Sequence, residues 1–333
     1  MERSVTVEKP RVVVTFIPRD EFARQVNDVL DPVATVTYLA DLADQDRAAA
    51  LESADAVLGW NLKAELRDSE EFAGLASTGL VQLLSAGADQ IPLDRIPEGV
   101  TVASNAGAYA DPMAEHVLAM VLALAKRLPQ NHAGLAHGDF DQQTPTRAIR
   151  GAVAGILGFG GIGQASARLF RAFGARIHAI NTSGHTDEPV DWIGTLDDLD
   201  ALLAASDFLV ISLPLMRASQ GLIGARELSL MKPDAILINV ARGAVVDEDA
   251  LYEHLRRNPS FSAGIDAWWQ EPRGQGSFAT RRPFFELPNV LGSPHNSAMT
   301  AGSLEAAARR AAENVERYLQ GEAPHHVVNR SEY

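Results

Sequence analysis

The sequence contains no cysteine, which excludes disulfide bonds, thiol catalysis and cysteine metal sites and is compatible with a reducing cytosol. Positive charge is scarce, since 29 lysine and arginine residues stand against 43 aspartate and glutamate residues, a formal net charge of -14. Long-range repulsion therefore argues against nucleic acid or an anionic membrane as a partner. A small anionic substrate needs only a local basic pocket and stays possible.

Long apolar runs are also lacking. The longest near-apolar segment, HVLAMVLALA, has half the length needed to cross a bilayer. The N-terminal stretch MERSVTVEKP carries charges where a signal peptide needs an apolar run. We therefore expect a cytoplasmic protein without a membrane partner.

What the sequence does contain is the alternation of a parallel α/β protein. A chain of 333 residues fits about two domains. Strand-like runs alternate with helical patterns, which is typical of parallel sheets. The first unit has the strand candidates RVVVTFIP, ATVTYL, ADAVLGW, LVQLLSAG and VTVASN, and the second has AVAGILGF, ARIHAIN, DFLVISLP, AILINVA, FSAGIDAW and NVLGSP. The main helix candidates are DEFARQVNDVL, YADPMAEHVLAMVLALAKRLP and AGSLEAAARRAAENVERYLQGE, the second with Asp111 as N-cap and Pro112 at its first position.

One glycine-rich stretch carries the strongest local signal for a ligand. Gly158, Gly160 and Gly163 form G-x-G-x-x-G between a candidate strand and a helix expected to begin near Gln164. The first glycine permits a tight turn, the second lets the backbone approach a pyrophosphate, and the third lets the helix pack closely on the strand. The phosphates then meet free N–H groups at the helix N-terminus. The strand–turn–helix–strand context predicts a dinucleotide site, which the glycines alone would not.

The residue at the end of the next strand bears on the choice of dinucleotide. An acid is expected there, because it bonds the adenosine ribose hydroxyls of NAD and repels a 2′-phosphate. This chain instead has Asn181, 18 residues after Gly163, and Thr182 and Ser183 can donate hydrogen bonds to a phosphate. No arginine follows immediately, and His185 is the nearby candidate cation. The sequence therefore favours NADP, or use of both NADP and NAD.

Ionisable residues follow three strands of the second unit. Arg242 follows AILINVA, Asp266 and Glu271 follow FSAGI, and His295 follows NVLGSP. Because ligands bind beyond the carboxyl ends of such strands, this combined arrangement predicts a site. Histidine suits proton transfer near neutral pH, a carboxylate stabilises its imidazolium, and arginine binds a carboxylate through a bidentate fork. With a nicotinamide, these groups fit hydride transfer at a carbon that bears oxygen.

These motifs together resemble one enzyme family, the D-isomer-specific 2-hydroxyacid dehydrogenases. The resemblance covers about residues 50–300, through LLSAGADQIPL, MAEHVLAMVLAL, GILGFGGIGQ, SLPLMRASQGLIG, MKPDAILINVARGAVVDEDAL, AGIDAWWQEP and LPNVLGSPHNS. INVARGAVVDEDAL is highly specific to the family. The resemblance implies NAD(P)-dependent interconversion of a small 2-oxoacid and its D-2-hydroxyacid, with reduction as the favourable direction.

The resemblance also implies roles for individual residues. Arg242 binds the substrate, Glu271 is the carboxylate partner, and His295 is the acid/base. Asp266 meets the nicotinamide carboxamide, and Trp268 packs. The backbone loop that cradles the substrate carboxylate corresponds to Ser85, Ala86 and Gly87. The cofactor site corresponds to Gly158, Gly160, Gly161, Ile162, Gly163, Asn181, Thr182, Ser183, Leu213, Pro214, Ala241 and Asp266.

The implied fold consists of two Rossmann/flavodoxin-like parallel-sheet domains. A dinucleotide-binding domain, 106–298, is inserted into a discontinuous substrate-binding (catalytic) domain, 1–105 and 299–333. Closure of the two domains over the ligands expels water from the hydride path. The long helix at about 111–127 is implied to belong to the cofactor domain and to help form a homodimer.

Other interpretations stay open. The same residues could oxidise another small anion, such as phosphite, whereas relatives that act on formate usually have glutamine in place of Glu271. The chain could also be a dinucleotide-sensing binding protein on this fold. Trp269 either narrows the substrate pocket or packs under its loop. Arg273, Arg281 and Arg282 form either a solvated loop or a subsite for a second anionic group, such as a phosphate or phosphonate.

Three histidines outside this set are interpreted as structural or solvated. His116 lies in a helix with apolar periodicity, which favours a structural role over a catalytic one. His325 and His326 lack carboxylate or cysteine partners nearby in the sequence, so no metal site is expected there.

Overall fold

The computed structural model describes residues 8–17, 20–272 and 276–333. Its strands are β1 (Arg11–Val14), β2 (Thr35–Tyr38), β3 (Ala56–Gly59), β4 (Leu80–Leu83), β5 (Thr101–Ala103), β6 (Val153–Leu157), β7 (Arg176–Ile180), β8 (Trp192–Gly194), β9 (Phe208–Ile211), β10 (Ile236–Asn239), β11 (Ser262–Ile265) and β12 (Val290–Gly292). Its helices are α1 (Asp20–Leu30), α2 (Arg47–Glu52), α3 (Leu62–Glu65), α4 (Ser69–Gly74), α5 (Ala110–Ala125), α6 (Leu128–Ala136), α7 (Gly161–Ala172), α8 (Leu199–Ala205), α9 (Ala225–Leu230), α10 (Glu248–Arg257) and α11 (Ser303–Leu319). The chain separates into two compact units, Met1–Ala108 with Ala301–Tyr333, and Tyr109–Thr300.

The first unit is a parallel sheet in the order β2-β1-β3-β4-β5. This is the flavodoxin-like order, which reverses between β1 and β3. Helix α11, from the end of the chain, packs against α1, β3 and β4. Its buried face consists mainly of small side chains, which let the helix approach the sheet closely: Ala307, Ala308, Ala311, Ala312 and Val315. The C-terminal helix therefore completes the core of the N-terminal sheet.

The second unit is a parallel sheet in the order β12-β11-β10-β9-β6-β7-β8. The order reverses between β6 and β9, as in the Rossmann fold, and a seventh strand extends the sheet beyond β11. Strands β6, β9 and β10 are buried along their whole length. Helices cover both faces of such a sheet, which explains why these strands appear as continuous apolar runs. The prediction of two parallel-sheet α/β folds is confirmed.

The start of the long helix was predicted wrongly. Helix α5 begins at Ala110 with Tyr109 as the N-cap residue, and no side chain caps it. Asp111 and Pro112 therefore lie inside the first turn and are not the cap and first residue. Proline is tolerated there because the first N–H groups of a helix have no intrahelical partner.

The sequence analysis named no candidate for helix α6 or strand β8, nor for the helices α2, α3, α4, α8, α9 and α10. Helix α6 follows α5 after Arg127, which has a left-handed backbone (φ 52°), and none of its residues is buried. Strand β8 is a three-residue edge strand beside β7. Neither element has an apolar run or a buried stripe, so neither produces a pattern in the sequence.

Helix α5 is strongly apolar because it is a core helix of the second unit. It has 16 residues and packs against α7, β10 and β11. In the part of the chain that the structure describes, no helix has the length and apolar character required to cross a membrane.

Candidate active site

The turn between β6 and α7 carries the three glycines of the predicted dinucleotide site. Gly158 has φ +100°, and a Cβ there would lie 2.5 Å from the backbone nitrogen of Leu213. A Cβ on Gly163 would overlap the carbonyl oxygen of Gly158, so the helix–strand contact requires glycine. At Gly160, no atom of the described residues lies within 4 Å of the Cβ position. This open side leaves room for a group bound against the backbone.

The N-terminus of α7 supplies donors beside that open side. The helix begins at Gly161, earlier than the predicted start near Gln164, and its N-cap residue Gly160 has no side chain to bond the first N–H groups. Gly161, Ile162 and Gly163 thus offer backbone donors at the positive end of the helix dipole. These residues fit the pyrophosphate of a dinucleotide.

The loop after β9 closes the other side of the glycine turn. Ser212 Oγ donates a hydrogen bond to the carbonyl oxygen of Gly158 (2.8 Å), and Leu213 meets the turn directly. Ser219 Oγ donates to the carbonyl oxygen of Pro214 (2.7 Å), which fixes the course of the loop. The contact arises because β9 pairs with β6 at the reversal of the sheet.

Asn181 follows β7 and uses its side chain to close its own loop. Its Nδ2 donates to the carbonyl oxygen of His185 (2.7 Å). Its Oδ1 accepts from the backbone nitrogens of Gly184 (2.7 Å) and Ser183 (3.1 Å). Thr182, Ser183 and His185 are exposed. The carboxamide of Asn181 therefore shapes the loop, and exposed hydroxyl groups stand beside it.

The carboxyl ends of β10, β11 and β12 bring the predicted catalytic residues to one edge of the sheet. Arg242 follows β10, Asp266 directly follows β11, and His295 follows β12. The three strands are neighbours in the order β12-β11-β10, about 5 Å apart from one to the next. The backbone nitrogen of His295 donates to the carbonyl oxygen of Asp266 (3.0 Å), so the β12 loop is fixed to the end of β11.

His295 and Glu271 form the predicted pair. Their Nδ1 and Oε1 atoms lie 2.8 Å apart, and the backbone nitrogen of Trp268 donates to the same Oε1 (2.8 Å). The side chain of Glu271 is 15% exposed and that of His295 is 32% exposed. An ionised Glu271 would only accept hydrogen bonds, so Nδ1 would be the ring nitrogen that carries the proton in this pair.

Asp266 is a fully buried carboxylate held by several donors. Its Oδ1 accepts from Ser293 Oγ (2.6 Å) and the Asn296 backbone nitrogen (3.1 Å), and its Oδ2 accepts from the Ser297 backbone nitrogen (3.2 Å). Burial alone raises the pKa of Asp266, but the side chains of Ser293 and Ser297 and the nearby His116 and His295 outweigh it and hold the pKa below its usual value. Asp266 is therefore a buried anion at neutral pH.

Two further residues join this group that the sequence did not assign to the site. His116 Nε2 lies 2.9 Å from Ser293 Oγ and 3.8 Å from Asp266 Oδ1, although its helix pattern favoured a structural role. Ser293 comes directly after β12, so the rule of strand carboxyl ends could have indicated it.

Arg242 lies on a tightly constrained loop. Asn239 Nδ2 donates to the carbonyl oxygen of Arg242 (3.0 Å), and Asn239 Oδ1 accepts from the backbone nitrogen of Ala241 (3.0 Å). Arg242 Nη1 donates to the carbonyl oxygen of Ala241 (2.8 Å). A Cβ on Gly243 would overlap the backbone of Trp268. The arginine loop and the tryptophan loop are thus in close backbone contact.

The tryptophan pair belongs to an aromatic cluster. Trp268 Nε1 donates to the carbonyl oxygen of Ser293 (2.8 Å), and Trp269 Nε1 donates to that of Val246 (2.6 Å). Trp269 stacks on Phe284 with ring centroids 5.3 Å apart. Packing accounts for both tryptophans.

Arg281 and Arg282, in the loop between Glu271 and His295, form ion pairs with carboxylates of helix α10. Arg281 Nε donates to the nearly buried Glu248 (2.9 Å), and Arg282 Nε donates to Asp249 (2.7 Å). Both carboxylates lie in the first turn of α10. The loop is thereby attached to that helix; Arg273 lies outside the described residues.

The predicted carboxylate loop belongs to the first unit and follows β4. Ser85 Oγ donates to the carbonyl oxygen of Gly87 (2.8 Å). Within the described residues, nothing accepts a hydrogen bond from the backbone N–H groups of Ser85, Ala86 and Gly87, which are half-buried. Three consecutive N–H groups without an acceptor are suited to binding an anion.

Among residues 8–17, 20–272 and 276–333, no cluster of three or more His, Cys, Asp or Glu side chains could hold a metal ion. His325 and His326 contact each other through their rings, with centroids 6.1 Å apart.

Comparison with known proteins identifies the family. The family model described as D-isomer specific 2-hydroxyacid dehydrogenase, NAD binding domain, matches residues 118–297. Glyoxylate/hydroxypyruvate reductase B of Pectobacterium carotovorum subsp. carotovorum is 34% identical over 90% of this chain and 93% of the relative. D-3-phosphoglycerate dehydrogenase of Methanocaldococcus jannaschii is 28% identical over 95% of this chain, which spans only 60% of that relative's length.

One solved structure is similar to this chain over nearly its whole length. The glycerate dehydrogenase related protein of Thermoplasma acidophilum is 31% identical and matches with a TM-score of 0.63 over 92% of this chain and 99% of that one. The family model covers more than half of the chain, and its match includes the glycine turn, Arg242, Glu271 and His295. The chain therefore belongs to the D-isomer-specific 2-hydroxyacid dehydrogenase family and is an NAD(P)-dependent oxidoreductase.

Proposed function

We propose that the protein reduces a small 2-oxoacid to its D-2-hydroxyacid. The observation that carries the proposal is the 2.8 Å contact between His295 and Glu271 at the sheet edge that also bears Arg242. Relatives named glyoxylate reductase and hydroxypyruvate reductase support glyoxylate or hydroxypyruvate as the substrate. The pairing of Arg281 and Arg282 with acids of α10 argues against a second anionic group on it.

When bound, reduced nicotinamide would supply the hydride that the keto carbon accepts. His295 Nε2 donates the proton to the keto oxygen. Glu271 holds Nδ1 and fixes the orientation of the ring. Arg242 binds the substrate carboxylate and polarises the carbonyl group next to it.

The two units then have separate tasks. The first unit is the substrate-binding domain, in which the free N–H groups of Ser85, Ala86 and Gly87 bind the substrate carboxylate. The second, Tyr109–Thr300, is the dinucleotide-binding domain. In it, Asp266 would accept a hydrogen bond from the nicotinamide carboxamide, and Ala241, Leu213 and Pro214 would line the bound cofactor.

The test is the absorbance change at the nicotinamide band with NADPH and with NADH. Each is run against glyoxylate, hydroxypyruvate, pyruvate, a bulky 2-oxoacid and phosphonopyruvate. We expect turnover with glyoxylate or hydroxypyruvate. No turnover with any pair, while the cofactor still binds, would refute the proposal and favour a different anion or a dinucleotide-sensing role.

NADP is the proposed preferred cofactor. Position 181 bears a neutral carboxamide that is bonded into its own loop, so no carboxylate there repels a 2′-phosphate. The variant Asn181→Asp should shift the ratio of kcat/KM values toward NADH by about 10-fold or more, which corresponds to about 1.4 kcal/mol. An unchanged ratio would contradict the preference.

A homodimer through the second unit is the proposed assembly. Helix α6 and the segment after it expose Leu128, Leu135 and Phe140, the last by 74%. Apolar side chains in such a group mark an interaction surface. Light scattering should give a dimer for the wild type and a monomer for Leu135→Glu. Val327→Glu, an exposed apolar position in the first unit, is the control and should remain dimeric.

A further inference from the structure

We propose that His116 is a positioning residue for the cofactor, acting through Ser293 on Asp266. The inference rests on the proposed function, in which Asp266 binds the nicotinamide carboxamide. The sequence pattern favours a purely structural His116, since it lies in the apolar helix α5. The structure adds a hydrogen bond between His116 and Ser293 to that packing role.

The direction of the hydrogen bonds follows from the donors available. Ser293 Oγ has one proton and lies 2.6 Å from the Oδ1 of Asp266, which is ionised and only accepts. Ser293 therefore donates to Asp266 and accepts from His116 Nε2 at 2.9 Å. This arrangement requires the His116 tautomer that carries a proton on Nε2. The hydrogen bonds therefore run in one direction, from His116 on helix α5 through Ser293 to the carboxylate of Asp266.

The three hydrogen-bonded residues, His116, Ser293 and Asp266, are each held by a different part of the second unit. Helix α5 packs directly on β11, the strand that Asp266 follows. The carbonyl oxygen of Ser293 accepts from Trp268 Nε1 (2.8 Å), so the backbone of the serine cannot shift freely. Its hydroxyl can still rotate, and His116 Nε2 is the donor that selects the rotamer aimed at Asp266. A selected rotamer fixes the position of Oδ1.

The two carboxylate oxygens of Asp266 accept different numbers of hydrogen bonds. Oδ1 accepts from Ser293 Oγ and from the Asn296 backbone nitrogen, whereas Oδ2 accepts from the Ser297 backbone nitrogen at 3.2 Å. A carboxylate oxygen has about two acceptor sites. Oδ2 thus accepts one bond fewer than Oδ1 and, although Asp266 is fully buried here, is the oxygen to which a carboxamide N–H would donate. Holding Oδ1 in place orients Oδ2 for that donor.

The experiment measures cofactor binding, without turnover, by isothermal titration. The probes are NADP⁺ and its 3-acetylpyridine analogue, which replaces the amide nitrogen by a methyl group and so cannot donate to Asp266; the NAD⁺ pair is used if the wild type binds NAD⁺ more tightly. The wild type should bind the nicotinamide form about 3- to 10-fold more tightly than the analogue, the usual net worth of one hydrogen bond. His116→Phe should lose most of that preference, whereas His116→Gln, which keeps a donor near the Nε2 position, should restore it.

Two variants separate the inference from its alternatives. Ser293→Ala should lose the preference to the same extent as His116→Phe, and the double variant should lose no more, because both act through one chain of bonds. His325→Phe replaces an exposed histidine of the first unit and should keep the preference. A His116→Phe protein that binds both probes more weakly by the same factor has lost only structure, and this would overturn the inference. A wild type without any preference would refute the role of Asp266 and the inference together, whereas turnover with 2-oxoacids would still support the reductase.

Discussion

Replacing Gly160 with alanine should separate cofactor binding from folding. Gly160 has φ -89° and ψ -157°, an extended conformation that alanine adopts, and a Cβ there meets no described atom within 4 Å. Alanine reduces the entropy of the unfolded chain by about 0.4–1 kcal/mol but is a poorer N-cap residue than glycine. These effects offset each other, so the free energy of unfolding should stay within about 0.5 kcal/mol of the wild-type value.

Cofactor binding should respond quite differently. If the pyrophosphate lies against Gly160, the added methyl group occupies its space, and overpacking of this kind costs about 1–3 kcal/mol. The dissociation constant should then rise by about 5- to 150-fold. Gly163→Ala is the matched control, because its Cβ overlaps the carbonyl oxygen of Gly158 and should lower the free energy of unfolding itself.

The assay is thermal unfolding of both variants without cofactor, together with a fluorescence titration of reduced cofactor. The expected pattern is normal unfolding with weak binding for Gly160→Ala, and early unfolding for Gly163→Ala. Wild-type affinity in Gly160→Ala would refute the argument, since the open side of the turn would then face no ligand.

His295→Ala should lower kcat roughly 10²–10⁴-fold, the usual worth of general acid–base catalysis, with cofactor affinity unchanged by titration. Arg242→Ala should raise KM and lower kcat together in steady-state kinetics, because the arginine binds both ground and transition states. Burial alone raises the pKa of Asp207, but hydrogen bonds from Val153 and Lys232 outweigh it, so the folded-state pKa lies below the usual value. Its contribution to stability is present at neutral pH and is lost as the pH falls below about 4, so Asp207→Asn should flatten the acid limb of a denaturation series.

The parts of the fold that the sequence predicts are those that burial dictates. Strands such as β9 and β10 are covered on both faces, and each appears as an unbroken apolar run. Helix α6 buries none of its residues, so no period marks it. The start of α5 was misplaced because aspartate followed by proline resembles a cap, whereas the helix begins two residues earlier, at Ala110.

The candidate site also has features that the sequence predicts and features that it does not. Arg242, Asp266 and His295 could be predicted because parallel strands deliver their carboxyl ends to one edge, whatever the loops do. The bonds between Arg281 and Glu248 join residues 33 positions apart through a loop, and no local pattern encodes that path. Asn181 shows the same limit: its residue type was visible in the sequence, but the direction of its carboxamide depends on the turn that it closes.

The backbone of His295 links the residue assigned to proton transfer with the residue assigned to cofactor binding. It has φ +50°, a left-handed conformation that is uncommon for residues other than glycine and persists only where surrounding contacts enforce it. Two contacts do so, the bond from its backbone nitrogen to the carbonyl oxygen of Asp266 and the bond between its Nδ1 and Glu271. The residue assigned to the cofactor therefore also fixes the backbone of the residue assigned to the substrate proton. The side chain of Asp266 also accepts from the backbone nitrogens of Asn296 and Ser297, which follow His295, so substitution of Asp266 should move the acid/base as well as remove the carboxamide acceptor and impair both binding and kcat, whereas loss of His116 should act first on binding.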